Sequence, residues 1–238
     1  VIEPDYELAL VEAAVLEALP GRRDDAAFHA ERDPLYAMAD PDAREAAFAR
    51  LHARWFERLG LDRPLRQALA ERREIGERCS RAIVARAPGP RAEGADLLMA
   101  PPAPPVLLLR LTPGTLGARD RALELLRREL LHVADMLDPG FGYEPTAGAA
   151  DAALAPGWRE RYRLLWDTSV EGRLVRSGLA PPAGRDERLR EFARAFPALG
   201  PRAAAAFERF FDGPRCTHPE LVAAATGGPL CAASGSRA

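Results

Sequence analysis

Apolar residues recur at helical intervals along the first third of the chain. Leu8, Val11, Val15 and Leu19 mark a helix over residues 5–19, ended by Pro20-Gly21. Asp40-Pro41 opens a second helix through about Leu59, with Phe48, Leu51, Trp55 and Leu59 on one stripe and Gly60 as its stop. A charged helix over 63–78 follows. After Cys79 the pattern changes. Short apolar runs at 82–87, 96–100 and 106–111 are separated by the turn-forming stretches APGPRAEG and PPAPP, the signature of a small sheet of two or three strands.

Thr112-Pro113-Gly114 then turns the chain into a helix over about 118–137, where Leu123, Leu126, Leu130, Val133 and Leu137 form a stripe suited to packing on the sheet. Glu124, Arg128, His132 and Asp135 gather on roughly the opposite side, a polar face that either meets water or lines a cleft. A further helix over 157–177 carries Trp158, Tyr162 and Leu165 on one face and Asp167 and Glu171 on another. Helices near 184–195, 200–212 and 218–225 complete the pattern. The expected fold class is α+β, mainly α, a helical protein around a small β-sheet. Residues 1–78 form an N-terminal helical segment, 79–225 a core that makes one domain with it, and 226–238 a flexible tail.

Composition narrows the function classes. The 238 residues are 47% hydrophobic and 29% charged, enough to bury a core, and the net charge of −2 gives no global field for nucleic acid or an anionic membrane. No nucleic-acid or membrane partner is expected. The acidic start of the chain lacks the basic region and apolar run of a signal peptide, and no stretch approaches the ~20 apolar residues of a membrane span. Cys79, Cys216 and Cys231 are too few and too far apart for a disulfide framework, so a reducing, cytoplasmic location is expected. Every basic residue is Arg, which lowers the information carried by any one of them.

The centre of LLRRELLHVADMLDP (125–139) reads Arg128-Glu129-Leu130-Leu131-His132, one residue away from His-Glu-x-x-His. With the apolar run 106–111 before it and Glu171 on a later helix, this stretch resembles the gluzincin branch of the zincin-like metallopeptidases over about residues 106–176. In that family the motif helix supplies two imidazoles and a general base, a later Glu is the third zinc ligand, and an edge strand pairs with an extended substrate. The resemblance implies that Arg128 stands at the first ligand position, Glu129 at the catalytic general base, His132 at the second metal ligand and Glu171 at the third. Asp135 and Tyr143 are further candidates for the cleft.

Residues four apart on a helix reach one ion together, and zinc then acidifies a bound water that the Glu deprotonates. Arg128 removes a lone pair and adds a fixed positive charge. The resemblance therefore implies a degenerate site, with no cofactor unless zinc is retained, and a protein or peptide partner of unknown identity. Two other readings stay open: a metal-dependent hydrolase with an altered ligand set, and a helical interaction or scaffold protein with no ancestral active site. In the last, Glu124 and Arg128 would form an exposed i,i+4 ion pair and Asp135 would serve His132. If the site is degenerate, Arg128 is expected to supply Glu171 with the positive charge zinc would have given. His29 and His52 read as packing or surface residues. Cys216, His218 and Cys231 lack a fourth member for a zinc knuckle.

Overall fold

A computed structural model of the protein describes residues 2–144 and 157–228. The fold is α+β and mainly α, with a four-stranded mixed sheet. Strand β1 (Pro4–Tyr6) runs parallel to β2 (Arg81–Arg86), β2 runs parallel to β4 (Ala103–Leu111), and β3 (Gly94–Ala100) closes the other edge antiparallel to β4. Ala82 and Val84 of β2 and Leu107, Leu109 and Leu111 of β4 are buried at alternate positions, as the two-residue period of a strand requires. The strand that precedes the motif helix, β4, is thus internal, and the edge belongs to β3.

Contacts divide the chain into two units, Val1–Val133 and Ala134–Ala238. The first holds the sheet and α1 (Leu8–Ala18), α2 (Asp25–Arg32), α3 (Pro41–Arg58), α4 (Arg63–Ala70), α5 (Arg73–Arg78) and α6 (Pro113–Gly117), and the boundary falls inside α7 (Arg119–Leu137). Helix α1 packs on α3, α6 and β2. Leu10, Val15, Phe28, Trp55, Leu65 and Ile75 are fully enclosed, with the Phe28 ring edge-on to Trp55 at 5.5 Å between centroids. Asp40 caps α3 by accepting the Asp42 N–H at 3.0 Å, and Thr112 caps α6.

In the second unit α8 (Trp158–Arg176) packs against α9 (Arg185–Ala195), α10 (Ala203–Phe211) and α11 (His218–Ala225). Phe192, Phe207 and Phe210 fill the space among them, and Thr217 with Glu220 forms a capping box at the start of α11. Gly172 is the point of closest approach. A Cβ there would lie 1.8 Å from the Phe211 carbonyl oxygen, the group that also accepts a hydrogen bond from Arg176. No side chain larger than hydrogen fits while that carbonyl holds its place.

Several elements differ from the hydrophobic pattern. The three-residue β1 is too short to show alternation. Helix α2 buries only Phe28, so it has no stripe. The single helix expected over 63–78 is two, broken at Glu71-Arg72 without a glycine or proline to mark the break. Leu8, placed on the buried stripe of α1, is 64% exposed, and Leu10 and Ala14 take the interior positions. The stretch 145–156 and the tail from 229, with Cys231, lie outside the described residues. No helix among the described residues is long and apolar enough to cross a membrane.

The close approach at Gly172 yields a stability prediction. Gly172→Ala should lower stability by about 3 kcal/mol or more, because backbone on both helices would have to shift, and urea melts followed by tryptophan fluorescence would measure it. A loss below about 0.5 kcal/mol would show that α8 and α10 can separate freely.

Candidate functional site

Along α7 the expected apolar stripe is buried at Leu123, Leu126, Leu130 and Val133. On the opposite, polar side Glu124 and Arg128 are partly exposed, whereas the groups nearest them along the helix are buried. Glu129 is 7% exposed, His132 7% and Asp135 1%. These three groups are therefore not part of a solvated face, and each needs partners inside the protein.

Glu129 has them within the first unit. Its Oε1 accepts from both Nε and Nη2 of Arg128, at 2.9 and 2.6 Å, and its Oε2 accepts the Ala95 N–H of β3 at 3.1 Å. Neighbours in a helix do not face each other, yet the long arginine side chain folds back far enough to grip the adjacent carboxylate. The result ties α7 to the edge strand. Arg128 is turned to Glu129 rather than to Glu124, so the exposed i,i+4 pair of the scaffold reading is not formed.

In the second unit Asp135 accepts from Trp166 Nε1 at 2.9 Å, from both terminal nitrogens of Arg173, and from Arg215 at 3.4 Å. Arg215 also grips Asp138 at 2.6 Å. Glu171, wholly buried on α8, receives Arg188 of α9 through two parallel bonds, Nε to Oε2 at 2.7 Å and Nη2 to Oε1 at 2.5 Å. Burial works against the Arg188 charge, but the Glu171 hydrogen bonds and the nearby Glu171, Asp167 and Glu191 charges outweigh it and raise its pKa further. From the sequence, the cation on Glu171 is expected to be Arg128; within this unit the guanidinium on Glu171 is that of Arg188.

Tyr143 stands in an aromatic group with Phe141, Tyr162, Trp166 and His218. Its ring is edge-on to His218 at 5.3 Å, and Phe141 stacks on Trp166 at 5.1 Å. The Tyr162 hydroxyl and His218 Nδ1 are 2.7 Å apart. Burial pushes the His218 imidazole below its ordinary pKa, against a smaller opposing pull from Glu144. Burial, helped by Tyr143 and Asp135, raises that of Tyr162. A neutral imidazole shares one proton with the phenol across this contact, with the donor set by the His218 tautomer. His218 Nδ1 is engaged with a phenol, which leaves it unsuited to a knuckle at that nitrogen.

These residues do not fit a zinc ion as arranged. Arg128 has no lone pair to give, both Glu129 oxygens carry hydrogen bonds, and among the described residues no three His, Cys, Asp or Glu side chains form a group able to hold a metal. The partners Arg173, Arg188 and Arg215 were not singled out by sequence, because in a chain whose basic residues are all Arg no single one stands out. Comparison with known proteins finds no matching family model, no matching curated protein and no matching solved structure.

Arg188→Ala should cost about 3–5 kcal/mol by leaving Glu171 buried and unmatched, whereas replacing both residues by Leu and Met should recover most of that loss in urea melts. Equal loss in the single and double variants would mean that Arg188 acts through packing alone.

The folded chain favours neutral His218, while an unfolded imidazole takes up its proton near pH ~6.5. Its contribution to stability therefore falls as pH drops below about 6.5 and levels off at the lower folded value. Ring-proton NMR should show His218 titrating below about 6.5. A midpoint above that value would contradict the buried, phenol-bonded assignment.

Proposed function

We propose that the chain is a zincin-like protein whose metal site has given way to guanidinium–carboxylate pairs and that it does not act as a conventional zinc hydrolase. The observation that supports this reading most is the state of Glu129. A general base must offer a lone pair to a water and gain basicity from weak competition for it, and here a guanidinium donates twice to one oxygen and a β3 amide donates to the other, which lowers the carboxylate's availability. The residue at the general-base position would serve as a fastener between helix and strand. Arg128, at the first ligand position, would supply positive charge that a metal otherwise brings.

What remains in this reading is a binding role. β3 is an outer strand with Leu98 and Met99 about half exposed, and an extended protein or peptide segment would pair there. A reducing compartment belongs to the same proposal, since the Cys79 thiol is buried and burial raises its pKa, which makes it inert.

Metal content tests the reading. Protein purified without chelator should carry less than about 0.1 zinc per chain, and its peptidase activity should not exceed that of Glu129→Gln. Close to one zinc per chain, lost in His132→Ala, would replace this proposal with a metal-dependent hydrolase of altered ligand set.

A further inference from the structure

Three strands, β1, β2 and β4, run parallel and in register, so their carboxyl ends meet at one edge of the sheet. The Glu7 N–H bonds the Val84 carbonyl at 2.9 Å and the Ala87 N–H bonds that of Leu111 at 2.8 Å, which carries the alignment past the last strand residues. Just beyond lies a groove of about 440 Å³ lined by Glu7, Arg86, Ala87, Pro88, Thr112 and Pro113. Its volume is within the usual range for small-molecule sites, and the carboxyl ends of parallel strands are where such sites commonly sit.

The charges in this groove are arranged unusually. Elsewhere on the sheet, acid and base on adjacent strands pair with each other: Asp5 with Arg81, and Asp96 with Arg110 at 2.8 Å. Glu7, just past β1, and Arg86, the last residue of β2, both line the groove, but their side chains do not pair with each other. Glu7 Oε2 accepts the backbone N–H of Arg86 at 2.7 Å, which fixes the carboxylate and leaves Oε1 open, while the Arg86 guanidinium has no partner among the described residues. The far wall is fixed as well, because Glu93 Oε1 receives both the N–H and the hydroxyl of Thr112 at 2.8 Å. Pro88 and Pro113 add stiff apolar surface.

We propose that this groove binds a small zwitterion of the α-amino-acid type, its carboxylate on the Arg86 guanidinium and its ammonium on Glu7 Oε1. A guanidinium holds a carboxylate through two parallel bonds, and a carboxylate oxygen held in place suits an ammonium. An anion alone would meet Glu7, and a cation alone would meet Arg86, so a ligand with both charges is the one that leaves neither unanswered. The site is independent of the motif on α7.

The test is an amide NMR titration of the full chain with L-alanine, acetate and methylammonium as separate probes. L-alanine should shift the amides of Glu7, Ala87 and Thr112 saturably, and Arg86→Gln and Glu7→Gln should each weaken it about tenfold or more. Both side chains are exposed, so both variants should melt with the wild type, and Arg86→Lys should retain part of the affinity. Acetate and methylammonium should each bind more weakly than L-alanine. No saturable shift up to about 50 mM L-alanine would overturn the proposal. So would acetate binding as tightly as L-alanine with no response to Glu7→Gln.

Discussion

A carboxylate taken out of water must be met by a cation or by several donors, and much of this structure is organised around meeting three of them. Glu129 is gripped by Arg128 and a β3 amide, Asp135 by Arg173, Arg215 and an indole, and Glu171 by Arg188. The arginine fork suits the task, since it presents parallel donors to a carboxylate and is more weakly hydrated than an ammonium. Pairs of this kind are often no better than apolar substitutes for stability, but breaking one is expensive. They therefore fix which helix faces which. Glu129 sets the position of α7 against β3, and Glu171 sets α9 against α8.

The same constraint carries the functional reading. A zinc site and a buried ion pair answer one electrostatic need in different ways, by a metal cation or by a guanidinium. At the motif of α7 both Glu129 oxygens already accept hydrogen bonds from within the protein, and the proposal of a non-hydrolytic role rests on that engagement. By contrast, the groove at the carboxyl ends of β1, β2 and β4 keeps a guanidinium and a carboxylate oxygen open, in a place where neighbouring pairs on the same sheet are closed.

Elements with a strong apolar period were legible in the sequence. The stripe of α7 has Leu126, Leu130 and Val133 fully buried, and the strands around 82–87, 96–100 and 106–111 lie within a residue or three of their observed bounds. Elements whose position comes from a partner were not. Pro4-Asp5-Tyr6 becomes a strand because β2 offers it a ladder, and α2 has one buried residue to announce it. The polar side of α7 was legible as a candidate, but its surroundings were not. Whether Glu129 meets water, a metal or Arg128 depends on rotamers and on the approach of β3, which no spacing encodes. Arg188 is 17 residues from Glu171 and lies among many other arginines, so nothing local marks it as the partner.

The central claim is that Glu129 and Arg128 act as a coupled pair inside the protein rather than as separate functional groups. A double-mutant cycle on Arg128→Met and Glu129→Gln, read by urea denaturation, measures that coupling directly. A partly buried pair predicts a coupling energy above about 1 kcal/mol, beyond the range of exposed ion pairs. Strictly additive losses, with coupling under about 0.3 kcal/mol, would contradict the account and return Glu129 to the role of an uncommitted carboxylate.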